Sequence, residues 1–199
     1  TNWWDATYKK WSNLRHHTFS VNGGTKNSKY YVSFGTQFEN GLEKKSAFKY
    51  NRQNLNANLD FNLNEYISIG LDINGVVQDK NAGSQGTLAT MYGVTLSEPT
   101  SVAIFPNGLP GPDRTLGWNP VIAATDATGF SDNKVYSLNS KFNAAFKVPK
   151  IEGLSFTTYY SHDLNFNVNK LFSKPWVLYD IDKNAYLSAG NTGKVDLQT

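Results

Sequence analysis

His16 and His17 sit side by side in "LRHHTFSV", and His162 and Asp163 sit side by side in "YSHDLNF". Imidazole and carboxylate are the side chains of metal binding and of general acid and base chemistry, so these two pairs come first. Both lie in stretches whose alternation predicts β-strand, and adjacent strand residues point to opposite faces. Neither pair can then converge on one metal or one proton. "DIDKNAYLSAGN", from Asp180 to Asn191, opens like a calcium loop with Asp180, Asp182 and Asn184 at alternate positions. It lacks the turn glycine after Asn184 and the closing glutamate, where Asn191 stands, and reads as a solvated loop. No phosphate-binding loop, dinucleotide fingerprint or nucleophile elbow occurs, and with no cysteine in the chain thiolate metal sites and thiol nucleophiles are excluded. The expectation is a protein without catalytic residues, metal site or cofactor.

The chemistry that the chain does carry is amide hydrogen bonding. In "NLNANLDFNLNEYISIGLDINGVV" Asn54, Asn56, Asn58, Asp60 and Asn62 share one strand face, while Leu55, Ala57, Leu59, Phe61 and Leu63 share the other. After a break at Asn64 and Glu65 the alternation resumes, with Ile67, Ile69, Leu71 and Ile73 against Ser68, Gly70, Asp72 and Asn74. This is a hairpin facing two solvents. A face turned to bulk water usually mixes in lysine and glutamate. A row of asparagines is instead a neutral, hydrogen-bonding wall, suited to a hydrated lumen or to a glycan-binding surface.

The elements that carry these faces are six strands, at about Arg15–Gly23, Tyr30–Glu39, Arg52–Leu63, Tyr66–Gln78, Val135–Val148 and Leu154–Asn167. No comparable stretch keeps a helical period. Several strands exceed the ~5–6 residues usual in soluble proteins and reach the ~9–11 that a tilted bilayer-crossing strand needs. Short turns at 22–28, 62–66 and 148–154 alternate with longer links at 40–51, at 79–134 and after Asn169. Up-and-down outer-membrane barrels alternate short periplasmic turns with long extracellular loops in this manner. Phe38, Phe61, Tyr66 and Phe146 fall near strand ends, where such barrels place aromatic girdles.

The link from Asp79 to Lys134 is too long for a structureless connection and is expected to carry function or structure of its own. Its "IFPNGLPGPDRTLGWNP" segment, with Pro106, Pro110, Pro112 and Pro120, argues against regular helix or strand. Tyr92, Phe105 and Trp118 are its candidate contact residues for a solute or a partner.

Composition narrows the class further. The 199 residues carry 39% hydrophobic, 18% charged and 14% aromatic residues with a net charge of +3, which is neither a disordered chain nor one with the basic stripe of a nucleic-acid binder. No apolar run approaches the ~18 residues of a membrane helix. The opening at Thr1, with neither Met nor a targeting pattern, reads as part of something longer.

Ordered blocks then resemble a known family. "TNWWDA", "HHTFSVNGGTKNSKYYVSFG" and "FENGLEKKSAFKYNRQNLNANLDFNLNEYISIGLDING" resemble consecutive barrel blocks of the SusC/RagA family of TonB-dependent outer-membrane transporters of Bacteroidetes. The matching positions are Thr1 to Asp5, His17 to Gly24, Tyr30 to Ser33, Gly41, Asn54 to Asp60 and Ile67 to Gly75, and "KFNAAFKVPKIEGLSFTTYYSHD" resembles the hairpin that follows. Asn2 stands for the usual Asp, Thr18 and Phe19 for Asn-Leu, and Asn56 where Arg is frequent.

The resemblance implies an all-β antiparallel transmembrane barrel segment of about six strands, with the family's plug domain absent from this chain. It implies import of an oligosaccharide or oligopeptide across the cell outer membrane, drawing on the TonB complex through that plug region, with a SusD-like surface lipoprotein over the mouth. Leu55, Leu59, Ile67, Ile69 and Leu71 would meet outer-membrane lipid, and Asn54, Asn56, Asn58 and Asp72 would line the lumen. The alternative is a soluble, secreted β-sandwich acting as a glycan-binding module, with two sheets packing apolar faces together.

Overall fold

The computed structural model describes residues 1–181 and 197–198. The body of the calcium-loop-like stretch, from Asp182 onward to Asn191, lies outside the described residues. Six strands follow in chain order: β1 (Leu14–Gly24), β2 (Ser28–Asn40), β3 (Lys49–Asn62), β4 (Ile67–Gly83), β5 (Gly129–Lys147) and β6 (Ser155–Ser173). They form one antiparallel meander in the order β1 to β6, each strand bonded to its sequence neighbour. A second, two-stranded sheet joins β7 (Asp180–Ile181) and β8 (Leu197–Gln198), and isolated antiparallel bridges join Tyr8 to Glu43 and Ile104 to Pro110. The second packed sheet that a β-sandwich needs is therefore not found among the described residues.

Each predicted strand exists, and most run further than alternation predicted. β4 continues to Gly83, β5 begins at Gly129, and Asp79–Gly83 pairs with Phe130–Lys134 in unbroken register. Beyond Val77 and Tyr136 the pairs turn largely polar on both faces, with Asp79 opposite Lys134, Lys80 opposite Asn133 and Asn81 opposite Asp132, and the alternation is lost. The ladder of backbone hydrogen bonds needs no alternation, so a strand that is polar on both faces leaves no period-two signal.

Two of the three short turns are closed by side chains that stand in for backbone, and the third by backbone bonds such as that from the Val148 N–H to the Leu154 carbonyl. Thr25 Oγ1 accepts from the N–H groups of Asn27 and Ser28, both at 3.2 Å, and Asn64 Oδ1 accepts from those of Tyr66 and Ile67, both at 2.8 Å. At the opposite end of the sheet lie the long connections, 41–48 and 84–128. The second contains helix α2 (Gly86–Leu96), helix α3 (Pro120–Ala123) and a 3-10 turn (Asp126–Thr128), and a short helix α1 (Trp3–Thr7) precedes β1.

Helix α2 lies in the long link expected to carry function or structure of its own, in a stretch that keeps no helical period. It buries small residues, Thr90, Gly93 and Val94, and leaves Leu88, Met91, Tyr92 and Leu96 exposed, so no apolar stripe marks its inner face. Pro120 likewise begins a helix instead of forbidding one: it occupies the first turn of α3, where a missing N–H costs nothing, and Asn119 caps that turn. Trp3, Val94, Ala103 and Val121 form a small core that joins α1, α2 and α3. The indole N–H of Trp3 donates to the Glu98 carbonyl at 2.7 Å, and the fully buried Asp113 accepts from the N–H groups of Glu98, Thr115 and Leu116.

Candidate functional site: the polar wall and its mouth

Register places the asparagines in rows across the sheet. Ser20, Ser33, Asn56, Asn74, Asn139 and Asp163 stand opposite one another in succession from β1 to β6. Their amides bond along the row: Asn56 Nδ2 donates to Ser33 Oγ at 3.3 Å, and Asn74 Nδ2 donates to Asn56 Oδ1. One row lower, Asn58 Nδ2 donates to Asp72 Oδ1 at 3.1 Å. The face is not wholly neutral, because Asp72 stands opposite Lys141, Lys29 opposite Asp60, and Arg52 occupies an upper row. Opposite charges in register keep the wall polar without giving it a strong sign.

The other face carries Phe19, Phe34, Leu55, Gly75, Leu138 and Leu164 in one row, and Leu59, Leu71, Phe142 and Tyr160 in another. His17 belongs to this face and His16 to the polar one, and His162 and Asp163 divide likewise. Leu55, Leu59, Ile67, Ile69 and Leu71 share the apolar side. Large apolar side chains stand exposed on this face, Phe34 at 45% and Phe166 at 63%, whereas Ser33 on the polar side is 4% exposed. Nothing among the described residues covers the apolar face.

The mouth holds the loop candidates in three different settings. Tyr92 projects from α2 and is 60% exposed. Trp118 is half-buried, its ring set edge-on to Trp176 at 6.3 Å and lying where a side chain on Gly93 would have to go. Phe105 is buried at 8% exposure, so its ring packs inside the loop.

Sequence reasoning passed over the N-terminal side of the mouth. Trp4 and Tyr8 pack at 4.8 Å, and the N–H of Lys9 donates to the Leu42 carbonyl, tying this segment to the 41–48 loop. Glu43 is buried at 3% exposure. Burial and the nearby Glu43 carboxylate push the Tyr8 hydroxyl above its ordinary ionisation range. The "TNWWDA" block was the available signal for this segment, through a resemblance and not through any motif of known chemistry.

A single antiparallel meander, apolar on one side and polar on the other, with short turns at one end and a folded mouth at the other, is a segment of an up-and-down β-barrel wall. No family model and no curated protein matches the sequence. Among solved structures the chain is similar to one in the RagAB peptide importer in its 'closed-closed' state, with a TM-score of 0.63 and 17% identity over 83% of this chain. The match covers 19% of that chain, so this chain spans about a fifth of its length, and the likeness is one of fold.

Proposed function

We propose that this chain forms part of the wall of an outer-membrane, TonB-dependent importer of a polar oligomer, an oligosaccharide or an oligopeptide. The observation that carries the reading is the broad apolar face that the sheet leaves uncovered among the described residues. Six strands at ~4.8 Å spacing and ten residue steps at ~3.4 Å give the apolar band about 24 by 34 Å, or ~800 Å². The largest apolar patch on a typical soluble monomer is about 300–600 Å². From Tyr136 to Phe146 the band spans those ten steps of β5, and a ~40° tilt reduces its height to about 26 Å, against ~25 Å for the apolar belt of outer-membrane barrels.

In this reading Asn54, Asn56, Asn58 and Asp72 line the solute path, and solute amides or hydroxyls exchange hydrogen bonds with the row. The exposed edges of β1 and β6 pair with further strands, since an open edge does not persist in hydrocarbon. Coupling to the TonB complex belongs to a plug region outside these residues. A SusD-like surface lipoprotein closes over the mouth, where Tyr92 is the exposed contact and Trp118 and Phe105 hold the loop in shape. The fold likeness to a peptide importer supports this assignment and leaves the solute open between peptide and sugar.

The test is a bilayer-confined quencher with the intact protein in lipid vesicles and a fluorescent probe at Leu59 or Asn58. These neighbours lie on opposite faces of β3, opposite Leu71 and Asp72 respectively. Strong quenching at Leu59 with little at Asn58 is expected; equal quenching, or none at either site, refutes the wall reading.

A further inference from the structure

At the upper end of the polar face a cavity of about 540 Å³ opens between α1, the end of β2, the 41–48 loop and α2. Its lining includes Trp4, Tyr8, Phe48, Met91, Glu39 and Glu43. Glu39 lies on the same strand face as Ser33, six residues further along β2, which is ~20 Å up the wall from the asparagine row. The cavity thus continues the polar face at the mouth.

Neither carboxylate is ion-paired among the described residues, although a lysine shares the lining. Glu43 is nine-tenths buried and more, accepts from Ser46 Oγ at 2.8 Å, and forms no ion pair among the described residues; neither does Glu39. A carboxylate held away from water without a counter-charge costs free energy, and an arriving cation recovers it. The position is built. Gly41 leaves the space that the Glu43 carboxylate and Ser46 hydroxyl occupy, Ser46 Oγ also accepts from the Phe48 N–H at 3.0 Å, and the Lys44 N–H donates to the Thr7 carbonyl at 2.8 Å. Two cations lie near: Lys9 lines the cavity, and Lys80 sits 5.8 Å from the centre of the Phe48 ring. The exposed indole of Trp4 and the ring of Tyr8 add the aromatic faces to which organic cations are drawn.

We propose that this cavity is a subsite for a cationic group of the solute, the ammonium or guanidinium of a basic oligopeptide, contacted by Glu39, drawn by the buried charge of Glu43 and flanked by Trp4 and Tyr8. The inference rests on the reading of the polar face as the solute path, and it selects peptide over sugar.

The experiment is calorimetric titration of the intact protein in detergent with two tripeptides, Ala-Lys-Ala and its neutral isostere with norleucine at the centre. The lysine peptide is expected to bind roughly tenfold or more tightly, with Glu39→Gln and Glu43→Gln each removing most of the difference while circular dichroism stays unchanged. Equal affinity for the two peptides overturns the proposal, as does a preference that survives both substitutions. A neutral oligosaccharide that displaces the lysine peptide also overturns it. If Glu43→Gln alters the fold, Glu39→Gln decides, since Glu39 is half-buried and makes no side-chain hydrogen bond among the described residues. The quencher pattern at Leu59 and Asn58 does not depend on this cavity, so the wall reading can stand when the subsite fails.

Discussion

Ile73→Lys and Asn74→Lys place the same charge on neighbouring residues of β4 whose side chains point to opposite faces. Ile73 is opposite Ala57 and Ser140 on the apolar face, and Asn74 is opposite Asn56 and Asn139 on the polar one. Ser140 lies four steps from Tyr136 and six from Phe146, which at ~3.4 Å per step and ~40° tilt are about 10 and 16 Å from the two edges of the band. Ile73 is therefore within about 3 Å of the middle, where a lipid-facing lysine costs ~2–4 kcal/mol. That is a roughly 30- to 1000-fold change in the folding equilibrium. Asn74→Lys loses one hydrogen bond to Asn56, about 0.5–1.5 kcal/mol, and its new charge remains in water. Urea titration of the intact protein folding into lipid vesicles, followed by tryptophan fluorescence, compares the two. Equal costs, or a greater cost at Asn74, would refute the assignment of the apolar face to hydrocarbon.

Two further substitutions test the mouth. Gly93→Ala drives a methyl group into the Trp118 ring and should cost about 1–3 kcal/mol of loop stability, seen as faster protease cleavage between 84 and 128 with no change in sheet content. Asn119→Ala removes a fully buried amide that accepts from the N–H groups of Val121 and Ile122 and donates to the Ala103 and Gly111 carbonyls, both at 2.7 Å. The loss of the cap and two stranded carbonyls should cost at least about 2 kcal/mol, read as protection lost from α3 in hydrogen exchange.

What could be read from the sequence was whatever alternated. Leu55 to Leu63 and Ile67 to Ile73 announce their faces because an apolar and a polar face demand opposite residue types at every second position. The Asn62–Tyr66 turn was legible because Asn64 has a side chain that can replace a backbone acceptor. The upper ends of β4 and β5 were not, since a stretch that is largely polar on both faces shows no period. Helix α2 was hidden by its inversion, with glycine and threonine inward and leucine, methionine and tyrosine outward. The setting of Phe105 was beyond reach for another reason. An aromatic residue in a long loop looks the same in sequence whether its ring packs inward or outward, and only the folded loop, in which the Phe105 N–H bonds to the Leu109 carbonyl, decides between them. Glu43 escaped notice because a single glutamate among lysines in "LEKKS" reads as a solvated charge; its burial comes from the ladder that Lys9 and Lys44 make across to it.

The two ends of the sheet imply two separate sources of stability. The lower turns are closed locally, two of them by Thr25 and Asn64 and the third by its own backbone bonds, so the wall depends on strand pairing and on the medium against its apolar face. The mouth has its own core in Trp3, Val94, Ala103 and Val121, tied by the Trp3 indole to Glu98 and by Asp113 to three backbone N–H groups. Substitutions in that core should then change binding at the mouth before they change assembly of the wall, and substitutions such as Ile73→Lys should do the reverse. In the proposed importer, a wall that must satisfy lipid and a mouth that must satisfy a solute are under different demands. Dividing their stabilising contacts between separate sets of residues lets the loops vary without unfolding the strands that carry them.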